Sequence, residues 1–139
     1  MRKVNIKNRH NVWIGTHKNN YVMDKLFDIA KQQKTLFKTS RHSAAIVYKN
    51  RIIATGVNKN KTHPKNLEFN YSHKAKIFIH AEMDAIIKVL NAVGPDILPY
   101  CSIYSLRITN TDRIANACPC QGCMDAIDGF NFKNVYWSN

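Results

Sequence analysis

Two short motifs constrain this chain more than anything else in it: His80-Ala81-Glu82 and, later, Pro119-Cys120-Gln121-Gly122-Cys123. Thiols at i and i+3 of a helix start share one face, where the helix dipole favours their ionised form, and Pro119 suits the approach to such a helix. His80 opens another apolar-periodic segment and can supply a neutral imidazole. A fold that brings both helix starts together offers one nitrogen and two sulfurs to a single metal ion. Zinc with three protein ligands keeps a position for water and does chemistry, whereas four protein ligands make a structural site. Glu82, two residues after His80, is placed to face that water without binding metal and to carry its proton to a substrate nitrogen. Taken alone, Cys120 and Cys123 leave two other readings open: a redox dithiol, or a four-ligand structural zinc completed by Cys118 or Cys101. Cys118, extended before Pro119, reads as a bystander, and Cys101, at a strand start, as core.

The 139 residues, 45% of them apolar, suffice for one domain with a continuous core and no disulfide staples. Val12, Trp13 and Ile14 form a short apolar island in an otherwise basic opening. From Tyr21, apolar Val22, Leu26, Ile29, Ala30 and Leu36/Phe37 recur at helical spacing. Ser43–Tyr48 and Arg51–Gly56 flank Lys49-Asn50 as two strands of a hairpin. The polar stretch 57–76 leads to a helix begun near His80 and stopped at Gly94-Pro95. Tyr100–Ile108 reads as a third strand, Cys120 to about Ile127 as a third helix, and Val135–Trp137 as a final strand. This order predicts a layered α/β domain. Met83 and Ile86 read as core, and Trp13, Tyr136 and Trp137 as packing residues before base-stacking ones. His10, His17, His42, His63 and His73 read as surface groups or satisfied core groups.

Together the two motifs match the H-x-E…P-C-x-x-C signature of zinc-dependent nucleobase deaminases. The segment 80–86 resembles the active-site helix of cytidine and deoxycytidylate deaminases, and is similar also to that of tRNA adenosine deaminases. The resemblance spans roughly residues 21–137 in element order. It implies a cytidine-deaminase-like three-layer α/β/α sandwich around a mixed sheet, with His80, Cys120 and Cys123 binding one catalytic Zn2+ and Glu82 as the proton shuttle. It implies substrate contacts from Asn58, in Gly56-Val57-Asn58, and from Ala81. Residues 1–20 are then a basic arm or edge strand, and 21–139 a single deaminase-like domain. Two departures stand out. The stretch between Glu82 and Pro119 is long, with the excess in Ala92–Tyr100 and Thr109–Ala117. The sequence ends at Asn139, where the family domain continues through another helix and strand, so the expected sandwich is shortened at its C-terminus.

The implied reaction is hydrolytic removal of a nucleobase amine, with cytosine in a nucleoside or nucleotide as the first expectation. The net charge of +12 is uneven: +14 in residues 1–76 and −2 in residues 77–139. A cationic half attracts anionic metabolites and nucleic acid alike, which keeps a deaminase acting on polynucleotide as the alternative. A non-catalytic zinc module is the third reading, disfavoured by Glu82 and the open fourth position. No apolar run reaches the roughly 18 residues of a membrane span, and the first 20 residues lack a secretory apolar core. A cytoplasmic protein without membrane contact is expected, with homo-oligomer formation as a way to cover a sheet edge.

Overall fold

Residues 12–14, 20–33, 40–58 and 80–138 are described by the computed structural model of the chain. Lys49 and Asn50 both take positive φ, 48° and 65°, the geometry of a two-residue turn whose twist matches its strands. Around that turn β2 (Ser40–Tyr48) pairs antiparallel with β3 (Arg51–Val57), from Tyr48 opposite Arg51 to Ser43 opposite Val57. β4 (Ser102–Thr109) lies antiparallel on the other side of β2, and β6 (Asn134–Trp137) runs parallel to β4. β1 (Val12–Ile14) runs parallel to β6 at the edge, giving the order β1-β6-β4-β2-β3. The two-residue β5 (Ile114–Ala115) pairs with β4 at Ile108 and Arg107.

Alternation along the strands sends side chains to two separate cores. α1 (Asn20–Gln32) buries Val22, Leu26 and Ala30 against Ala45, Val47, Tyr104, Leu106, Ile108 and Tyr136. The rings of Tyr104 and Tyr136 stack there, 4.8 Å apart. On the opposite face α2 (Ala81–Ala92) and α3 (Gln121–Phe130) pack Met83, Ile86, Val89, Cys123 and Ile127 on Ala44, Ile46, Ile103, Val135 and Trp137. The result is an α/β/α sandwich around a mixed sheet. Ser43 ties the first layer down by donating its hydroxyl to the Leu26 carbonyl at 2.7 Å.

The sequence expectation differs from the structure at Tyr100. Pro95–Tyr100 forms a 3-10 helix, and the strand begins only at Ser102; the Cys101 N–H closes that helix on the Leu98 carbonyl at 2.9 Å rather than joining a ladder. Gly94 makes the turn into it at φ 89°, where a side chain would be strained. The third helix runs three residues past Ile127, to Phe130, and ends on Asn131 in the left-handed conformation. Leu36 and Phe37, expected to continue the first helix, and most of the 57–76 stretch lie outside the described residues.

Candidate active site

His80 is the N-cap of α2, in extended conformation, and its side chain makes no capping bond to the helix. Its imidazole is therefore directed elsewhere, to the start of α3. There Cys120 is the N-cap, and its sulfur accepts the Cys123 backbone N–H at 3.4 Å. His80 Nδ1 lies 3.2 Å from Cys123 Sγ and 3.4 Å from Cys120 Sγ. All three donor atoms fall within 4.8 Å of one another. An ion held tetrahedrally at about 2.0 Å from nitrogen and 2.3 Å from sulfur separates such atoms by roughly 3.6 Å, so the set fits zinc in both donor chemistry and spacing. Hydrogen bonding with Cys123 and His80 pulls the Cys120 thiol down to about 3 against the opposing effect of burial, so it is a thiolate, ready to ligate, at neutral pH.

Glu82 projects from the first turn of α2 and is only 5% exposed. Burial pushes its carboxyl above the usual carboxylate range. Ser105 on β4 donates its hydroxyl to Glu82 Oε2 at 3.1 Å, which favours the ionised form and opposes burial. A carboxyl group balanced in this way is suited to taking a proton and giving it back.

The position of α2 is set by its contact with β3. A Cβ on Gly56 would lie 2.3 Å from the Ala81 carbonyl oxygen and 2.5 Å from the Ala85 nitrogen, so only glycine lets the helix come this close. One residue on, the Val57 N–H donates to Asp84 Oδ2 at 3.1 Å, and Lys88 joins the same carboxylate at 3.4 Å. These contacts hold Asn58 opposite the start of α2. Asn58 Oδ1 accepts the His42 backbone N–H and the Gln33 amide, each at 3.0 Å. The oxygen is thus occupied within the protein, and the Nδ2 hydrogens are what the side chain can offer to a ligand.

A cavity of about 340 Å³ opens over these groups, lined by Ser40, His42, Asn58, His80, Ala81, Glu82, Ala117, Cys118, Pro119 and Cys120. That volume is at the lower end of ligand pockets. Over residues 16–139 the chain matches the family described as the cytidine and deoxycytidylate deaminase zinc-binding region. The chain belongs to this family. Two solved deaminases share the fold: the dCMP deaminase of the cyanophage S-TIM5, crystallised with dCMP and dUMP, and the cytidine deaminase of Mycobacterium tuberculosis. The first is 17% identical, covering 87% of this chain and 83% of its own, with a TM-score of 0.53. The second is 12% identical, covering 86% and 85%, with a TM-score of 0.52. A guanine deaminase from Bacillus subtilis is 27% identical over 70% of this chain and 48% of its own, with a TM-score of 0.45. The chain therefore spans about half of that enzyme's length. No curated protein sequence matches.

In this member of the family the six residues singled out from sequence share one location: His80, Cys120 and Cys123 as a potential metal-binding group, with Glu82, Asn58 and Ala81 lining the same cavity as His80 and Cys120. Cys123 itself is buried. Cys118 lines the cavity yet stands outside the three-donor group, and Cys101 is buried in the core, its thiol donating to the Ile97 carbonyl. Tyr136 and Trp137 are buried packing residues. His42, read from sequence as a surface or satisfied core histidine, lines the cavity. Sequence reasoning also missed Ser105. Its signal was a polar side chain at the same alternation phase as the buried Ile103, which has meaning only once that face of β4 is known to carry the site. His10, His17, His63 and His73 lie outside the described residues, and among those described no helix is long and apolar enough to cross a membrane.

Proposed function

We propose that this deaminase acts on cytosine in a nucleoside or nucleotide, with His80, Cys120 and Cys123 holding zinc and Glu82 moving the proton. The observation that carries this reading is the buried Glu82 carboxyl, bonded by Ser105, in a cavity that His80 and Cys120 of the three-donor set also line. The cyanophage enzyme of the same fold, crystallised with dCMP and dUMP, supports cytosine as the base.

Deamination adds the oxygen of water to C4 of the ring and breaks the bond from C4 to the amine. Zinc, when bound, supplies the Lewis acidity that brings the pKa of water to about 7. Glu82 accepts the proton that water gives up and passes it to the ring nitrogen beside C4, so that the carbon becomes electrophilic as the oxygen arrives. The same carboxyl then carries the second proton to the departing amine, which leaves as ammonia. Ser105 keeps one Glu82 oxygen fixed while the other exchanges protons. Asn58 offers Nδ2 to an acceptor on the substrate, and Ala81 lies in the first helical turn, where backbone N–H groups lack a carbonyl partner within the helix.

The test is ammonia release by the zinc-replete protein from cytidine, dCMP, guanine, single-stranded DNA and tRNA. Turnover of cytidine or dCMP is expected. Turnover of polynucleotide alone, with oligonucleotide affinity falling steeply as salt rises, would overturn the reading.

A further inference from the structure

The pocket face of the sheet continues past Glu82 as a polar ladder. In register, Ala44 stands opposite Ser105, His42 opposite Arg107, and Ser40 opposite Thr109. Alternation puts these pairs on the same face as Ile46 and Ile103. Ser105 is the rung that holds Glu82. The His42/Arg107 pair is the next rung outward, about 7 Å along the strands, and directly opposed residues bring their Cβ atoms to within about 5.5 Å.

Among the described residues, both members of this rung lack the partners that comparable groups in the fold possess. Among the described residues, neither ring nitrogen of His42 has a hydrogen-bond partner; only its backbone N–H is engaged, with Asn58. Among the described residues, Arg107 makes one side-chain bond, from Nη1 to the Asn116 carbonyl at 3.3 Å, and meets no carboxylate. Arg41 on the neighbouring strand shows the contrast, since it pairs with Asp112 and also donates to the Lys31 and Thr109 carbonyls. Among the described residues that line the cavity, only Glu82 carries a carboxyl group. Burial, followed by the nearby charges of Arg107 and His80, pushes His42 down to about 4, with Cys120 acting in the opposite sense.

The chemistry of the substrate says what belongs there. C4 of cytosine and the N1 that bears the sugar lie across the ring from each other. With the amine at Glu82, the sugar and its substituents extend away from the reacting end. We propose that His42 and Arg107 form the subsite for the 5′-phosphate of a nucleoside monophosphate, with His42 as the contacting, specificity-determining residue and the Arg107 guanidinium behind it supplying the charge. This rests on the cytosine-deaminase reading and narrows it from nucleoside or nucleotide to nucleotide.

The test compares wild type, His42→Ala, His42→Gln and Arg107→Gln in two measurements. One is kcat/KM for dCMP against deoxycytidine; the other is calorimetric affinity for dUMP against deoxyuridine. Wild type is expected to favour the monophosphate in both. The preference should shrink about tenfold or more in His42→Ala and Arg107→Gln, the scale of a charge-assisted hydrogen bond, and less in His42→Gln, which keeps a donor and the side-chain bulk. A wild type that prefers the nucleoside, or variants that weaken both ligands equally, would overturn the subsite. A zinc-replete wild type inactive on all cytosine substrates would overturn the deaminase reading instead, while the dUMP affinities would still decide whether His42 and Arg107 hold a phosphate.

Discussion

Glu82 is subject to opposed influences whose balance sets its usefulness. Removal from water raises its proton affinity, and the Ser105 hydroxyl on Oε2 lowers it. Glu82→Gln keeps the shape and the three metal donors but removes the exchangeable proton. Turnover should therefore fall at least about 100-fold, the lower end of what a positioned general acid–base group contributes, with zinc content by elemental analysis unchanged. Full activity in a zinc-replete variant would refute the role. Ser105→Ala deletes the group that favours the carboxylate, so the Glu82 proton is held more tightly. The acidic limb of the kcat/KM profile against pH should move to higher pH relative to wild type. A limb that does not move would mean that Ser105 serves packing alone.

At the scale of elements, the site depends on how closely α2 lies on β3. The helix carries His80 and Glu82, the strand leads into Asn58, and Gly56 is where their backbones meet. Gly56→Ala puts a methyl group against backbone atoms, which cannot swing aside as a flexible side chain could. The helix must shift, at a cost of about 1–3 kcal/mol typical of overpacking. The melting temperature should drop by on the order of 5 °C or more, and zinc affinity should fall with it because His80 moves with α2. A variant that melts like wild type and binds zinc as tightly would show that the contact is slack. Asp84 holds the same junction from the helix side, through the Val57 N–H and Lys88, so the junction is set by a polar clamp as well as by close approach.

Across the whole molecule, the metal donors tie the starts of α2 and α3 together on one face of the sheet. Zinc that binds the folded chain and not the unfolded one stabilises it by mass action. A chelator should therefore abolish ammonia release and also lower the melting temperature, and added zinc should restore both. His80→Ala and Cys120→Ser should melt at a temperature that no longer responds to chelator or zinc. A melting temperature in wild type that is indifferent to chelator would disconnect the three-donor group from zinc. The 3-10 helix Pro95–Tyr100 and the β5 excursion account for the two stretches that lengthen the chain between Glu82 and Pro119. The second of them delivers Ala117 and Cys118 to the cavity wall.

Local chemistry was enough to determine several features from sequence. Asn50 and Lys49 allow the positive φ of a tight turn, the spacing of Val22, Leu26 and Ala30 makes one apolar helix face, and the two motifs cap helices with groups that bind metal. Each of those properties is written within a few neighbouring residues. Ser105 and His42 could not be found that way. Ser105 gains its role only because β4 passes beneath Glu82, and His42 because β2 pairs with β4 in a register that sets it beside Arg107. Strand register, and the face that each strand turns to the cavity, arise from contacts between residues distant along the chain. It was these long-range contacts that decided which polar side chains surround the site.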